Sequence, residues 1–360
     1  MLGPLQPLHD FLGPTLFFYV LSPAIKILVV VFVGVLPLIS YLVLAERKIL
    51  GFMQVRLGPN RVGPWGLFQP IADIMKLLVK EDIIPSQAVR WAFVLAPCLV
   101  VAPALIILSV IPFGPPAAQA GGLDYMITDI NVGMLFVIAF ATIGVYGLII
   151  GGWASNSKFS LLGGLRSAAQ MISYEVPQGF AIVGPLLLAG TMSLTGIVEA
   201  QRDAGVWFVF PQLLAFFIFL VAGVAESNRN PFDLPEAESE LVAGFHTEYS
   251  GMRFALFFLG EYANMIVVSA IAVTLFLGGW LRPFPNVEAL SFLDFAFLPA
   301  GVAGLVWFSI KLSAFLFMYI WFRGTFPRYR FDQLMDLGWK WLIPLSLFNV
   351  FATGLVKILT

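Results

Sequence analysis

The sequence has little charge and almost no cysteine or histidine. Only 11% of its residues are charged, whereas 59% are hydrophobic, and the mean hydropathy is +0.91. Because a soluble domain carries about 25% charged residues, this composition excludes a soluble fold and predicts a polytopic membrane protein. The single cysteine, Cys98, cannot form an internal disulfide or supply the four thiolates of an iron–sulfur cluster. The two histidines, His9 and His246, lie in polar segments, which excludes a bis-histidine haem site inside the membrane.

The motifs of several common active sites are also absent. The sequence contains no glycine-rich dinucleotide loop after a strand, no P-loop, no cluster of metal ligands and no nucleophile with a suitable base. We therefore expect that the chain performs no redox chemistry by itself. The first residues lack the basic start of a cleaved signal peptide and are expected to belong to the mature protein.

Eight apolar stretches are long enough to cross a membrane as helices, which requires about 20 residues each. They cover residues 20–45, 89–112, 131–152, 168–192, 207–226, 254–280, 298–322 and 339–358. The fourth stretch contains Pro177 and Pro185, which predict a kink. The predicted fold is an all-α polytopic membrane protein with about eight transmembrane helices, in which residues 1–360 form a single integral membrane domain.

Basic residues are concentrated on one side of this predicted membrane domain. The loops on that side cover about 46–88, 153–167, 227–253 and 323–338, and in or beside them lie fifteen of the twenty basic residues. These are Arg47, Lys48, Arg56, Arg61, Lys76, Lys80, Arg90, Lys158, Arg166, Arg229, Arg253, Arg323, Arg328, Arg330 and Lys340. The positive-inside rule therefore predicts cytoplasmic loops and both termini outside, in a bacterial inner membrane.

The first of these loops contains an amphipathic pattern. The apolar residues that recur at helical spacing are Leu67, Ile71, Ile74, Met75 and Leu78. The pattern predicts a helix that lies in the membrane surface with its apolar side down. Charged residues and aromatic side chains such as Trp65 at this depth would suit an amphiphile with a polar head and a long tail. Alternatively, the basic residues are topological anchors and Trp65 is a membrane-belt residue.

The segment 226–253 has the highest density of acidic residues in the chain. It holds six of the 21, namely Glu226, Asp233, Glu236, Glu238, Glu240 and Glu248. The triplet from 236 to 240 follows Pro235, which suits the first turn of a helix; on an extended chain the three would share one face. A solvated charge run is the plain alternative. The apolar residues between the charges favour an amphiphilic segment in which gating by charge is feasible.

The ionisable residues within or at the ends of the predicted spans include Glu175, Glu226, Glu261 and Lys311. A charge in hydrocarbon costs several kcal/mol, so such residues usually mark ion or proton routes. Glu175 and Glu226 have an alternative interpretation as solvated residues at headgroup level. Glu261 lies about seven residues inside its helix, which favours a role within the membrane.

Three loop segments resemble those of a known family. Residues 45–82, 226–252 and 323–340 are similar, in this order, to the first, third and last cytoplasmic loops of one membrane-arm component of the proton-pumping NADH:quinone oxidoreductase, respiratory complex I. In bacteria this component is the H subunit, and its mitochondrial counterpart is NADH dehydrogenase subunit one. The eight-helix layout agrees as well, so the resemblance covers nearly the whole chain.

The resemblance implies a translocase subunit at the junction of the membrane arm and the peripheral arm. A protein of this family contributes to the chamber where quinone is reduced, and it begins the polar path that couples this reduction to proton pumping. FMN and iron–sulfur clusters would be held by partner subunits, and no cofactor by this chain alone. Its other implied partners are membrane lipid and the substrate quinone, with no nucleic acid.

The resemblance also implies roles for individual residues. For quinone binding these are Glu46, Arg47, Arg61, Asp73 and Arg328. The acidic coupling loop would use Asp233, Glu236, Glu238 and Glu240, and the proton route Glu175, Glu226 and Glu261. Some members carry a further acidic residue in helix three, where this chain has Thr142 and Tyr146. That relay position is therefore vacant or served by a hydroxyl and water.

Two other functions are compatible with the same residues. A stand-alone cation or proton transporter could use Glu175, Glu261 and Lys311, although the two halves lack the matching broken helices of inverted-repeat transporters. The equivalent component of a membrane-bound hydrogenase is the other alternative. Long, turn-rich cytoplasmic loops with no redox centre favour a subunit of a larger redox assembly.

Overall fold

The computed structural model describes residues 22–116, 125–233, 243–284, 286 and 298–359, and within these residues the chain forms helices and loops without a strand. In the described residues we number ten helices: α1 (Ala24–Met53), α2 (Gln69–Val79), α3 (Arg90–Ile107), α4 (Gly133–Ala154), α5 (Lys158–Ala189), α6 (Leu194–Ala204), α7 (Leu213–Glu226), α8 (Gly251–Phe276), α9 (Ala300–Thr325) and α10 (Phe331–Leu359). The predicted all-α polytopic membrane fold is confirmed.

Seven of these helices are long and apolar enough to cross a membrane, counted over the residues that the structure describes. They are α1, α3, α4, α5, α8, α9 and α10. The predicted fifth span, 207–226, contains the shorter helix α7 of 14 residues. The first third of this predicted span, residues 207–212, is non-helical turn structure because Pro211 has no backbone N–H to donate. Helix α7 therefore begins only at Leu213.

Helix α5 begins ten residues earlier than the hydropathy pattern predicts. It runs from Lys158, so most of the predicted loop 153–167 is helical, and it continues through Pro177 and Pro185. Glycines explain the difference. A Cβ on Gly163 would lie 2.6 Å from the Cα of Gly244, and this close backbone approach packs the start of α5 against the turn Gly244–His246. A kink at the two prolines stays a prediction.

Two further boundaries differ from the prediction. The short helix α6 lies between the predicted fourth and fifth spans, where its Ser193 side chain accepts a hydrogen bond from the backbone N–H of Gly196 as an N-cap. Helix α10 begins at Phe331, inside the predicted last loop 323–338. Both helices begin in segments whose residues can form a helix but are too polar to be predicted as part of a membrane span.

The amphipathic helix of the first loop is confirmed as α2. Its apolar side chains are exposed, with 55% of Ile71, 56% of Met75 and 56% of Leu78 accessible. A face of this kind is suited to lipid or to the apolar tail of an amphiphile. The first loop therefore presents an apolar surface next to the polar end of α1.

Helix α8 forms the centre of the bundle. In its most apolar stretch 72% of the residues are buried, compared with 22% in the outer helices α1 and α10. It packs against α3, α7 and α9. Glu261 is therefore carried by the most protein-enclosed helix of the chain, not by one that faces lipid.

Candidate functional site

A buried cluster of charges lies at the inner ends of α1, α8 and α9. The Arg229 guanidinium is 2.7 Å from the carboxylate of Glu261, and its Nη1 donates to both oxygens of Glu46 at 3.3 Å. Arg323 also donates to Glu46. The Tyr262 hydroxyl donates to Glu46 at 2.8 Å, and its ring centroid lies 4.1 Å from the Arg229 guanidinium carbon. We call Glu46, Arg229, Glu261, Tyr262 and Arg323 the inner ion cluster.

Glu46 and Arg229 of the inner ion cluster are withdrawn from solvent, whereas 41% of the Arg323 side chain is exposed. Only 5% of the Arg229 side chain and 6% of the Glu46 side chain are exposed. Burial alone would lower the pKa of Arg229, but Glu261, Tyr262 and Glu46 raise it above the ordinary value for arginine, so the guanidinium stays charged. The buried Arg229 is stabilised by the carboxylates of Glu46 and Glu261, and a buried guanidinium without such partners would destabilise the fold.

A second ion pair joins the acidic segment to the predicted last loop, 323–338. Arg328 Nη2 donates to Asp233 Oδ2 at 3.0 Å. Only 11% of the Asp233 side chain is exposed, whereas 44% of Arg328 is. Burial raises the pKa of the Asp233 carboxyl above its ordinary range, even though Arg328 opposes the shift. The structure therefore places Arg328 against the base of the acidic segment.

The predicted residues of the first loop divide into two groups. Arg47 and Asp73 form an ion pair at 2.7 Å, and Gln69 Nε2 donates to Asp73 Oδ1 at 3.0 Å. Glu46, the residue before Arg47, instead faces the inner ion cluster. Arg61 is exposed in the connecting loop. The end of α1 thus links a surface pair to a buried cluster through two consecutive residues.

The intramembrane carboxylates line two adjoining cavities. The first has an empty volume of about 690 Å³ and is bordered by Glu226, Glu261 and Asn264. The second, of about 430 Å³, is bordered by Glu175, Glu226 and Asn264. Glu226 and Asn264 belong to both walls, so the three predicted proton-route residues lie around two neighbouring cavities. The remaining walls are mostly apolar.

The carboxylates of this region have polar neighbours on adjacent helices. Gln178 lies beside Glu226 and Thr142 lies beside Glu175, while the Thr142 hydroxyl donates to the backbone carbonyl of Ile138 at 3.1 Å. Glu226 is the last residue of α7 and is 4% exposed, so it is not solvated at headgroup level as its alternative interpretation required. Thr142 and Tyr146 both lie in α4, the predicted third span. Thr142 is next to a carboxylate, whereas 58% of Tyr146 is exposed.

Lys311 does not belong to this region. Its Nζ donates to the backbone carbonyls of Leu277 and Gly279 at 2.6 and 2.9 Å, just past the end of α8. It also lies 4.6 Å from the centroid of the Trp207 ring. Glu261 is sixteen residues before Leu277, which corresponds to about 24 Å of helix. The set of Glu175, Glu261 and Lys311 that a transporter would use is therefore not brought together.

Three residues of the inner ion cluster are missed by sequence reasoning: Arg229, Tyr262 and Arg323, which like Arg229 is only one of the basic loop residues. Arg229 is one basic anchor among fifteen in the loop pattern, and Tyr262 is one residue among many in an apolar stretch. Glu226, Arg229 and Asp233 are close in sequence, and an arginine among acidic residues at the end of a span is a usable signal for a buried pair. Tyr262 carries no such signal beyond its position beside Glu261.

The triplet Glu236, Glu238 and Glu240 lies outside the residues that the structure describes. Its predicted role in coupling therefore stays a prediction. The described neighbours on either side, Asp233 and the turn Gly244–His246, are both packed into the protein.

Comparison with known proteins decides the family. The model of the NADH dehydrogenase family matches residues 25–354. The chain belongs to the NADH dehydrogenase family. Its relatives include H subunits of bacterial NADH-quinone oxidoreductases, and their names agree with the resemblance seen in the loops, which is confirmed.

Three of these relatives are aligned with nearly the whole chain. The H subunit of NADH-quinone oxidoreductase from Magnetococcus marinus is 50% identical over 345 residues, which cover 96% of this chain and 94% of the relative. The H subunit numbered 2 of Geobacter sulfurreducens is 53% identical over 332 residues, covering 92% and 95%. The H subunit numbered 1 of Geobacter metallireducens is 53% identical over 335 residues, covering 93% and 96%.

His246 gives this member of the NADH dehydrogenase family an acid-sensitive position. Burial among the rings of Phe245, Phe254 and Phe258 lowers the pKa of His246 from 6.5 to about 4. The folded state therefore excludes a proton that the unfolded state binds, so its stabilising contribution is complete above pH 6.5 and is lost as the pH falls toward 4. At pH 5 we expect a loss of about 2 kcal/mol relative to neutral pH.

The test compares wild-type protein with His246→Gln in thermal unfolding at pH 7.5 and pH 5. The wild-type protein should lose more stability on acidification than the variant does. An equal loss in the two proteins would show that His246 does not bind a proton on unfolding.

Proposed function

We propose that the chain is the membrane subunit of an NADH-quinone oxidoreductase, where it contributes to the quinone chamber and couples quinone reduction to proton translocation. The names of its relatives support the assembly. The inner ion cluster is the observation that carries the coupling, because it touches both the loop with Arg47 and Asp73 and the cavity bordered by Glu226 and Glu261. A charge change near Arg47 and Asp73 would therefore act through the inner ion cluster on the titratable groups Glu226 and Glu261.

The first loop has the properties that a quinone requires. The exposed apolar face of α2 suits an isoprenoid tail, and the Arg47–Asp73 pair offers charged hydrogen-bonding groups to a headgroup. Glu46, Arg61 and Arg328 are assigned to the same chamber by the family resemblance. The redox reaction itself uses FMN and iron–sulfur clusters of partner subunits in this proposal, so the chain acts as a subunit without a redox centre.

Coupling follows from the proton demand of the reaction. Reduction of quinone to quinol takes up two protons, which changes the charge near the headgroup. The inner ion cluster holds two carboxylates and two guanidinium groups, and around its buried pair of Glu46 and Arg229 such a change is weakly screened. The acidic segment from Asp233 through the triplet at 236–240 is the element whose equilibrium the charge change would bias. The translocated protons, which are distinct from the two that quinol takes up, would move through Glu226, Glu261 and Glu175.

The proposed setting is the inner membrane of a bacterium. Both termini would lie outside and the long loops in the cytoplasm, where they would contact the partner proteins that carry the quinone site and the terminal iron–sulfur cluster. The excess of basic residues in these loops supports this orientation. Lipid and quinone would contact the exposed apolar helices.

The experiment that tests the proposal is purification of the chain from its native membrane in mild detergent. We expect flavin and iron–sulfur absorbance to accompany it, together with NADH-driven quinone reduction that quinone-site inhibitors block. A chain that purifies alone and moves protons or cations in liposomes would overturn the proposal and establish the transporter function instead.

Asp73→Asn tests the quinone side of the proposal. The substitution removes the charge that Arg47 and Gln69 contact, and we expect the KM for quinone to rise about tenfold, as loss of a charge-assisted hydrogen bond does. Assembly should be normal, because an exposed ion pair contributes only about 0–1 kcal/mol. The matched control is Asp336→Asn, which removes the exposed partner of Lys340 at the same 2.7 Å distance. An unchanged KM in both variants would remove Asp73 from the site.

A further inference from the structure

Gln170 of helix α5 packs against the turn that joins the end of α7 to the acidic segment. Its side chain is fully buried, with no accessible surface. It faces the turn that connects the end of α7 to Asp233 and carries Arg229 of the inner ion cluster. None of the roles described above uses this glutamine.

The Gln170 amide spans both ends of that turn. Its Nε2 lies 2.8 Å from the carbonyl oxygen of Ala225 and 2.8 Å from that of Phe232. Ala225 directly precedes Glu226, and Phe232 directly precedes Asp233. One side chain therefore holds the backbone next to the carboxylate of the cavities and the backbone next to the first carboxylate of the acidic segment.

The hydrogen bonds of Gln170 are incomplete in a specific way. A third acceptor, Asn228 Oδ1, lies 3.2 Å from the same nitrogen, although an amide nitrogen has only two hydrogens to donate. The amide oxygen is buried without a hydrogen-bond partner among the described residues. A buried polar network with three acceptors for two donors has more than one arrangement of similar free energy, because no arrangement satisfies every group.

The surroundings restrict what can move. Asn228 Nδ2 lies 3.4 Å from Ser167 Oγ and 3.8 Å from Met171 Sδ, which are on the same side of α5 as Gln170. One turn further along α5, the Tyr174 hydroxyl donates to the carbonyl of Leu334 at 2.9 Å. Helix α5 is thus a fixed support, and the turn 227–232 is the part whose position the glutamine sets.

We propose that Gln170 is a positioning residue which transmits movement of the acidic segment to Glu226 by exchanging its two N–H donors among three acceptors. The inference rests on the function proposed above. When Asp233 shifts, the hydrogen bond from Gln170 to the Phe232 carbonyl breaks or forms. The Gln170 N–H that is freed or taken up then changes the hydrogen bonding of Gln170 to the Ala225 carbonyl. Gln170 contacts neither quinone nor a moving proton in this proposal; it acts through the turn.

The test is Gln170→Met in the complete complex, reconstituted in liposomes, with quinone reduction and proton translocation measured per assembled complex. Methionine keeps the size of the side chain and removes both donors. We expect the ratio of protons translocated to electrons transferred to fall below the wild-type value, because methionine cannot donate to either carbonyl of the turn. Electron transfer from NADH to ferricyanide, which does not involve this chain, reports the amount of intact peripheral arm.

Gln201→Met is the matched control. Gln201 on α6 is equally buried, donates to the carbonyl of Thr274 at 2.9 Å and accepts from the N–H of Phe208 at 3.0 Å, but it lies next to the far end of α8. The Gln201→Met variant should leave the ratio of protons translocated to electrons transferred at the wild-type value. A fall in both variants, or in neither, would overturn the proposal, since a general loss of packing moves both.

Gln170→Glu keeps the proposal testable when the methionine variant does not assemble. A protonated glutamate retains one donor of the two, so its ratio should lie between those of wild type and full loss; a wild-type ratio would overturn the inference. A wild-type complex without NADH-driven quinone reduction would instead overturn the proposed function, which separates the two failures.

Discussion

Arg229→Met should prevent the formation of an active protein. The substitution removes the guanidinium that both Glu46 and Glu261 contact, so Glu261 loses its described ion-pair partner while Glu46 keeps Arg323. Breaking a buried ion pair by removing one partner costs about 3–5 kcal/mol, a large fraction of the free energy of unfolding of a typical domain. We expect loss of assembled complex in the membrane and a thermal midpoint well below that of the wild type.

Arg330→Met provides the comparison for this prediction. Arg330 pairs with Asp332 at 3.5 Å, and 79% of its side chain is exposed, so its removal should change the free energy of unfolding by about 0–1 kcal/mol. The double variant Arg229→Met with Glu261→Gln should recover part of the stability, because the carboxylate that lost its arginine is then neutral. Equal stability of the Arg229 and Arg330 variants would mean that the inner ion cluster is not a buried unit.

Glu226→Gln should separate electron transfer from proton translocation. Glutamine has the size and shape of glutamate but does not exchange a proton, and Glu226 is shared by the walls of both cavities. Removing a positioned proton-transfer group lowers rates by about 10²–10⁴-fold, so we expect proton translocation in reconstituted liposomes to fall by about a hundredfold. Assembly should stay near normal because the packing is preserved.

Glu226→Asp is the conservative variant for this experiment. It keeps a carboxyl group in the cavity wall and should retain a measurable part of the proton translocation that Glu226→Gln loses. Asp332→Asn, at a position 69% exposed, should behave as wild type. Wild-type translocation by Glu226→Gln would exclude Glu226 from the proton route.

Local sequence patterns are sufficient for much of the fold. Long apolar stretches predict the spanning helices, and 3.6-residue periodicity predicts α2, since both depend only on nearby residues. The predicted start of α5 is wrong because it depends on Gly163 meeting Gly244, a contact between segments about eighty residues apart. Likewise α7 is shorter than its apolar stretch, because Pro211 interrupts the helix and hydropathy does not register this.

The site is predictable in its residue types but not in its pairing. Glu46 is identified from family resemblance, and Glu226 and Glu261 also from charge inside apolar sequence. Their partners are remote in the chain: 183 residues separate Glu46 from Arg229, and 277 separate it from Arg323. A single sequence contains no information on such pairs beyond the general cost of a lone buried charge.

The two consecutive residues at the inner end of α1 also restrict how this helix can be altered. Glu46 and Arg47 point to different neighbours because successive residues of a helix are rotated by about 100°. An insertion or deletion of one residue upstream in α1 would turn both side chains by that angle, so the carboxylate would leave Arg229 and the guanidinium would leave Asp73 together. The chain should therefore tolerate many apolar exchanges along α1 and almost no change in its length, and insertion scanning should show a sharp boundary between this helix and the loop that follows it.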